Sequence, residues 1–210
     1  MAKLNIAPTK SNLLSLKRQL AFAEEGFDLL EQKRQILIFE LMSRLGRARQ
    51  VERDSSEALR RAFAALHEAV LDTGSSALDQ AVLGVRMDHR VSLTDQHLMG
   101  IKIPRVTSRI EPPGVQFGIG GTSASTDVAM RRWVEVLPLL AELAELENAV
   151  LRLARELRKT QRRCNALSKI FIPDYQETIG YIMGALEERE RESFIILKMI
   201  RDRLARQAQL

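Results

Sequence analysis

Cysteine occurs once in the chain, as Cys164, so no intramolecular disulfide framework can form and no paired-thiol metal site can be built. This usage suits a reducing compartment. Aromatic residues make up only 5% of the sequence, a bias that suits long helices better than a large globular core. No run approaches the ~18 apolar residues of a membrane-spanning helix, and the opening MAKLNIAPTKSNLL lacks the apolar stretch of a secretory signal. Any association with a membrane is therefore expected to pass through a partner or a surface contact.

Catalytic signatures are missing as well. The glycine-rich GIGGTS at 118–123 lacks the GK[ST] ending of a phosphate-binding loop, and neither GxSxG nor HExxH occurs. His67, His89 and His97 are far apart and poorly supplied with carboxylates or thiols, which argues against a zinc site. Paired acids such as Glu24 with Glu25, or Glu187 with Glu188, lie among arginines and lysines and read as solvated or ion-paired helix faces. The expectation is a chain with no catalytic, metal-binding or cofactor-binding residues of its own.

What the chain does have is helix periodicity. Of its 210 residues 45% are hydrophobic and 28% charged, and breakers concentrate in the middle: positions 74–126 hold 7 of the 11 glycines and 3 of the 6 prolines. This divides the chain into an arm over 1–73, a central hairpin and loop region over 74–126, and a second arm over 127–210. In the first arm Leu13, Leu16, Leu20, Ala23, Phe27, Leu30, Arg34, Leu37, Leu41, Arg44, Ala48 and Val51 follow the alternating three-four spacing of a heptad seam. Thr9 or Ser11 is the candidate N-cap, the helix is expected to end near 72–74, and its length would be roughly 90 Å. The second arm repeats the seam through Leu139, Leu143, Leu146, Val150, Leu153, Leu157, Thr160, Cys164, Leu167 and Phe171. It resumes after Pro173, through Tyr175, Ile179, Ile182, Leu186, Arg189, Ser193, Ile196 and Ile200, with an extra four-residue step that should locally unwind or kink the helix. Cys164 is thus a small core residue rather than a reactive thiol.

Two seams of this length cannot stay in water. The fold class predicted is mainly all-α: a long antiparallel two-helix coiled coil formed by the two arms, with short helices and a β-hairpin in the central region. A parallel intermolecular dimer is the less favoured alternative. VRMDHRVSL and GIKIPRV supply the hairpin strands, with Pro104 limiting the edge, and 111–126 reads as an irregular loop.

The formal charge of +5 admits nucleic acid, acidic protein or lipid headgroups as partners without choosing among them. Lys3, Lys10, Lys17 and Arg18 occur with no acid before position 24, and Lys198, Arg201, Arg203 and Arg206 accompany only Asp202 after 192. Antiparallel arms would bring both groups to one basic tip of about +7. A second cluster, Arg152, Arg155, Arg158, Lys159, Arg162 and Arg163, contains one acid, Glu156, and because 155, 158/159 and 162 share a helix face they could form a stripe along the shaft. No aromatic interleaving or recognition-helix motif accompanies it, so a solvated face or a protein contact is favoured over DNA.

The residues resemble one family closely. Pro8-Thr9-Lys10, Leu13, Leu16-Lys17, Leu20, Ala23, Gly26, Leu29-Leu30, Lys33-Arg34 and Leu37 are similar to the amino-terminal signature of the D subunit of the V-type (vacuolar and archaeal/bacterial) rotary ATPases. Thr160-Gln161-Arg162-Arg163-Cys164-Asn165-Ala166-Leu167, Ile172-Pro173 and Leu186-Glu187-Glu188-Arg189-Glu190-Arg191-Glu192 resemble that family's T-x-R-R-V-N-A-L, I-P and L-E-E-x-E-R-E pattern. Met99-Gly100-Ile101-Lys102-Ile103-Pro104 resembles its hairpin motif. Cys164 stands where the family usually has valine and Gln35 where an acid is common; the 111–126 loop matches nothing in the pattern.

The resemblance implies a non-catalytic central rotor shaft. Its partners would be a hexamer of A and B subunits, the F subunit, and a membrane-proximal socket subunit on the ion-carrying ring. The location would be peripheral, on the cytoplasmic face of a membrane, with no direct insertion and no nucleic acid. Lys10, Lys17, Arg18, Lys198, Arg201, Arg203 and Arg206 would then meet the hexamer, while Arg155, Arg158, Arg162, Arg163 and the hairpin would face the F subunit. The alternative from another class is a coiled coil that binds nucleic acid or scaffolds through its basic faces.

Overall fold

The computed structural model describes residues 4–85, 89–110, 114, 118 and 120–207, with side chains as far as residue 204. Helix α1 spans Lys10–Thr73, α2 Ser75–Gly84, strand β1 His89–Leu98, β2 Ile101–Ile110, helix α3 Ala124–Ala166, and α4 Ile172–Gln207. A π-helical turn, Leu167–Phe171, joins α3 to α4. The chain forms two compact units, one of residues 1–35 with 158–210 and the other of residues 36–157.

In the first unit α1 begins where the sequence places its cap. The Thr9 hydroxyl accepts the backbone N–H of Asn12 at 3.3 Å, satisfying one of the donors a helix start leaves over. Leu16 is buried against Ile179 and Ile182, with Leu13, Leu20, Tyr175 and Leu186 around them. Further along, the Arg34 guanidinium donates to Gln161 Oε1 at 3.1 Å. Rising numbers on α1 thus meet falling numbers on the partner helix, which is the antiparallel arrangement. Arg34 takes a seam position because its cation is held on its own helix by both carboxylate oxygens of Glu31, one turn earlier. Beside it Cys164 is 3% exposed, and burial pushes its thiol pKa up.

At Pro173, where the seam's extra step predicts local unwinding or a kink, the helix unwinds locally into the π-turn. Proline has no N–H, and its ring crowds the carbonyl four residues earlier. The π-turn accommodates both by adding one residue: the N–H of Ile172 donates to Leu167, five residues back instead of four. One consequence departs from the seam spacing. Phe171 is exposed, and the buried face resumes at Thr178, Ile179 and Ile182.

In the second unit the buried face of α1 is made largely of small residues. Ala48 and Val51 pack with Leu146, and Ala65 and Ala69 with Ala129 and, from α2, Leu78. Small side chains let helix backbones approach closely. Phe63 and Trp133 add an edge-to-face ring pair with centroids 4.9 Å apart. Gly74 separates α1 from α2 at φ +81, a backbone conformation that a side chain disfavours. Helix α3 begins at Ala124, a little ahead of the arm boundary, and continues through Pro138.

β1 and β2 form a regular antiparallel hairpin, Leu98 opposite Ile101 through His89 opposite Ile110. Its two-residue turn places Met99 at φ 48 and Gly100 at φ 79, the positive pair that a type I′ turn requires. Ile103 is 1% exposed and packs with Leu37, Ala149 and Leu153, with Leu98, Ile101 and Leu157 beside it. The hairpin is therefore wedged onto the helix pair by the apolar residues of the GIKIP segment.

Ile103→Ala should destabilise the second unit by about 2–4 kcal/mol, the cost of deleting a buried branched side chain, and should speed amide exchange throughout the hairpin. Hydrogen exchange with denaturant titration measures both. Glu31 titrates below the ordinary 4.5, chiefly because Arg34 hydrogen-bonds its ionised form. A depressed carboxylate contributes stability that is present above its unfolded pKa and lost as pH falls through the folded one. Acidification below about pH 4 should therefore loosen the Arg34–Gln161 layer. Glu31→Gln should remove that pH dependence, as a thermal-melting series across pH would show.

Candidate functional site

In the first unit, the end of the helix pair is pinned by polar contacts. Lys10 Nζ lies 2.7 Å from a Glu190 carboxylate oxygen. Their hydrogen bond, with the attraction of opposite charge, holds Glu190 below and Lys10 above their ordinary pKa values. Residues 4–9 turn back along α4. The N–H of Leu4 donates to the Thr178 hydroxyl at 3.3 Å, the Arg189 guanidinium donates to the Pro8 carbonyl at 2.9 Å, and the Asn12 amide donates to Ala7 O at 2.8 Å. Ile6 joins the Leu16 cluster. The sequence carries little warning of this strap, because Ile6 stands outside the seam and Arg189 reads as a seam residue.

Beyond Glu190 no second helix accompanies α4 among the described residues. The seam does not continue there: Ile196, expected to be buried, is 52% exposed, and Ile200 is exposed too. The physical reason is register. Pairing Lys10 with Glu190 uses up the start of α1, so among the described residues the later turns of α4 have no helix to pack on. Phe194, at 70% exposed, stands with Ile195, Leu197, Met199 and Leu204 in the same uncovered stretch. A stretch this rich in exposed large apolar side chains, with only a few charges among them, marks a surface for a partner.

The basic residues expected at one tip are strung out instead. Lys10 is tied to Glu190, and Lys17 lies seven residues, about 10 Å, further down α1. Arg201 lies eleven residues, about 16 Å, beyond Glu190 along α4. Arg18, Lys198 and Arg203 are exposed, and Arg201 shares its charge with neighbouring Asp202 at 2.7 Å. The side chain of Arg206, and Lys3, fall outside the described residues. Of the residues expected to form a basic stripe, Arg158, Arg162 and Arg163 are exposed in this unit and Arg155 in the other.

The second unit presents two further features. At α2, Val82 and Leu83 are exposed, Leu83 at 87%, as is Leu71 near the end of α1. The hairpin stands with its β2 edge against α3: the N–H of Val106 donates to a Glu145 carboxylate oxygen at 2.6 Å, and Arg152 donates to the Lys102 carbonyl at 2.9 Å. Arg152, read from sequence as part of a basic cluster, is thus committed to holding a strand. A groove of about 740 Å³ between α1, β2 and α3 is lined by Arg44, Arg47 and Arg105 and by Glu40, Glu142 and Glu145. Arg47 pairs with Glu142 across it at 2.6 Å. Equal numbers of cations and anions leave it no preference for a charged ligand.

Among the described residues no group of histidines, cysteines and acids could hold a metal ion, and no helix is long and apolar enough to cross a membrane.

Comparison with known proteins agrees with the architecture. The family model for the D subunit of ATP synthase matches residues 12–202. The chain is 34% identical over 203 residues to a V-type ATP synthase D subunit of Thermotoga neapolitana, covering 97% of this chain and 100% of that protein. It is 39% identical to the second V-type ATP synthase D subunit of Treponema pallidum, covering 96% of each. It is 37% identical to an A-type ATP synthase D subunit of Methanosphaera stadtmanae, covering 93% of each. With the family model matched over residues 12–202 and relatives of 34–39% identity covered over nearly their full length, the chain belongs to the family of ATP synthase D subunits of the V/A-type rotary complexes.

Proposed function

We propose that this protein is the non-catalytic central shaft of its complex, carrying torque between a catalytic hexamer of A and B subunits and the membrane ring that moves ions. The observation that carries the reading is the uncovered end of α4, whose apolar residues from Phe194 to Leu204 are exposed on every side. Burying this stretch in a closed apolar collar would favour association by about 25 cal/mol for each Å² covered. Lys198, Arg201 and Arg203 among those apolar residues suit a collar with acidic positions. In this reading the A and B subunits supply the collar.

A single shaft offers three equivalent catalytic interfaces three different faces. Its angle then biases which interface is open, because a partner can shift a conformational equilibrium only by binding its states unequally. Paired helices suit the role mechanically, since two packed helices resist bending and twisting more than one. At α2, the exposed Val82 and Leu83 with Leu71 are the apolar surface we assign to the socket subunit of the ring. The F subunit is assigned to the hairpin region and the exposed Arg155, Arg158, Arg162 and Arg163. The protein would sit peripherally on the cytoplasmic side of its membrane. Nucleic-acid binding is less well supported than the sequence allows, because Arg152, Arg34, Arg189 and Lys10 are engaged within the chain.

Two outcomes test this. Reversing Arg201 and Arg203 to glutamate should lower coupled ATP hydrolysis of the reconstituted complex at least about tenfold, whereas reversing Glu24 and Glu25 to lysine should change it by less than about twofold. Equal effects would remove the assignment of the α4 end. Phe194→Asp with Leu197→Asp should leave the helical content of the isolated chain unchanged, because both side chains are exposed, yet abolish its capture of an A/B hexamer in a pull-down.

A further inference from the structure

At the end of the second unit where α1 turns into α2, the charge runs against that of the whole chain. The formal net charge is +5, yet no lysine or arginine occurs between Arg61 and Arg86, or between Arg109 and Arg131. Glu68, Asp72 and Asp79 stand in the first interval, and Asp127 lies in the first turn of α3 in the second. All four are exposed, and none makes an ion pair among the described residues. Packing gathers them. Ala65 and Ala69 of α1, Leu78 of α2 and Ala129 of α3 form one cluster, and the Thr73 hydroxyl donates to Ser123 Oγ at 3.2 Å.

Asp127 has a local explanation, because the dipole of a helix favours a carboxylate in the first turn. The other three acids have none. Glu68 and Asp72 stand one turn apart on α1, a spacing at which like charges destabilise a helix. Asp72 also lies in the last turn, where the dipole disfavours an anion and no basic residue offsets it. The residues three and four away from Asp79 on α2 are Ser75, Ser76, Val82 and Leu83, so its own helix supplies no cation either. In the free chain these placements are unfavourable.

Each acid is set beside exposed apolar side chains. Leu71, 72% exposed, follows Glu68 by three residues, while Val82 and Leu83 follow Asp79 by three and four. Residues at these spacings share a helix face. Both helices thus present the same combination outward, a carboxylate next to an apolar side chain, while Leu78, Ala65 and Ala69 are buried between them and α3. An anionic lipid surface would repel this end, and a second copy docking through the same face would set acid against acid.

We propose that this end of the second unit docks into a partner subunit whose apolar hollow is bordered by lysine or arginine, with those cations offsetting Glu68, Asp72 and Asp79. The identity of the partner, the socket subunit of the ring, rests on the shaft reading; what is added is the chemistry that recognises it. Leu71, Val82 and Leu83 supply the buried contact. The acids steer the approach and reject a hollow of their own sign.

Two linked measurements test this. In the assembled complex, full-length chain with the photoreactive benzoylphenylalanine in place of Val82 should crosslink on irradiation to the subunit that covers α2. That subunit, purified, is then titrated with the full chain. Its affinity should fall about tenfold or more between about 50 and 500 mM sodium chloride, since salt screens exposed charge pairs. Asp72→Lys with Asp79→Lys should weaken it by a similar factor at the lower salt and remove most of the salt dependence, and Leu83→Ser should weaken it at both. Asp54→Lys with Glu147→Lys, an equal change of charge on exposed residues elsewhere in the unit, should change it by less than about twofold. The reversal at Asp72 and Asp79 should leave the melting temperature of the isolated chain unchanged or raised, because it turns a like-charge pair on α1 into an opposite one.

A reversal that leaves the affinity within about twofold, or strengthens it, overturns the proposal. So do salt-independent docking, the absence of any crosslink from position 82, or a lowered melting temperature, which would show that the acids serve the fold. A crosslink to an A or B subunit overturns the assignment of the socket alone, and titration of that subunit with the same variants still decides the chemistry.

Discussion

Register along the apolar seam governs everything else in this protein. Once Leu16 packs on Ile179 and Ile182, Lys10 falls opposite Glu190. From that alignment follow the placement of the strap, the level at which α1 begins and the length of α4 left uncovered. Each buried leucine or isoleucine contributes about 1.5–3 kcal/mol. Sliding the pair by one turn would forfeit several of these contacts at once and break the Lys10–Glu190 and Arg189–Pro8 interactions as well. The polar layer of Glu31, Arg34 and Gln161 works in the same direction, because a guanidinium held by one particular carboxylate and one particular amide has no equivalent partner a turn away. The exposed end of α4 is thus a consequence of packing elsewhere.

The sequence carries much of this in its spacing. All twelve positions of the first seam, from Leu13 to Val51, are buried or half-buried, since periodicity of apolar residues reports directly on which face leaves water. Thr9 as cap and the end of α1 at Thr73 were readable from local chemistry. The hairpin was readable from the alternating and β-branched residues of VRMDHRVSL and GIKIPRV, although β1 runs on to Leu98, beyond the first of these, and residues 86–88 of it lie outside the described residues. Ile196 was not, because a heptad pattern marks residues able to pack and is silent on whether a partner helix reaches them. Nor was the role of Arg152, whose task depends on a carbonyl fifty residues earlier in the chain. The basic residues of the two ends lie at different levels for a related reason: counting charges by sequence segment ignores the axial offset between the two helices.

The hairpin and the helices also differ in how their polar groups are satisfied. A helix closes its own hydrogen bonds, so α4 can end uncovered with only its side chains in an unfavourable setting. A strand cannot. β2 meets this requirement through α3, with a carboxylate for one donor and a guanidinium for one acceptor, while Ile103 anchors the strand from the other side of its pleat. The hairpin is consequently fixed in orientation by three contacts of different chemistry, which makes it a rigid projection from the second unit.

The π-turn at Leu167–Phe171 sets an angle as well as accommodating a proline. One residue inserted into a helix advances everything after it by about 100° around the axis. Thr160 and Cys164 precede the insertion and Ile179 and Ile182 follow it, yet all four are buried. The insertion therefore acts as an azimuthal index: it fixes the compass bearing at which Phe194, Lys198 and Arg201 leave the helix relative to the paired portion of the same unit. A homologue that lost that single residue could keep its composition, its charge and its helicity and still point its end the wrong way.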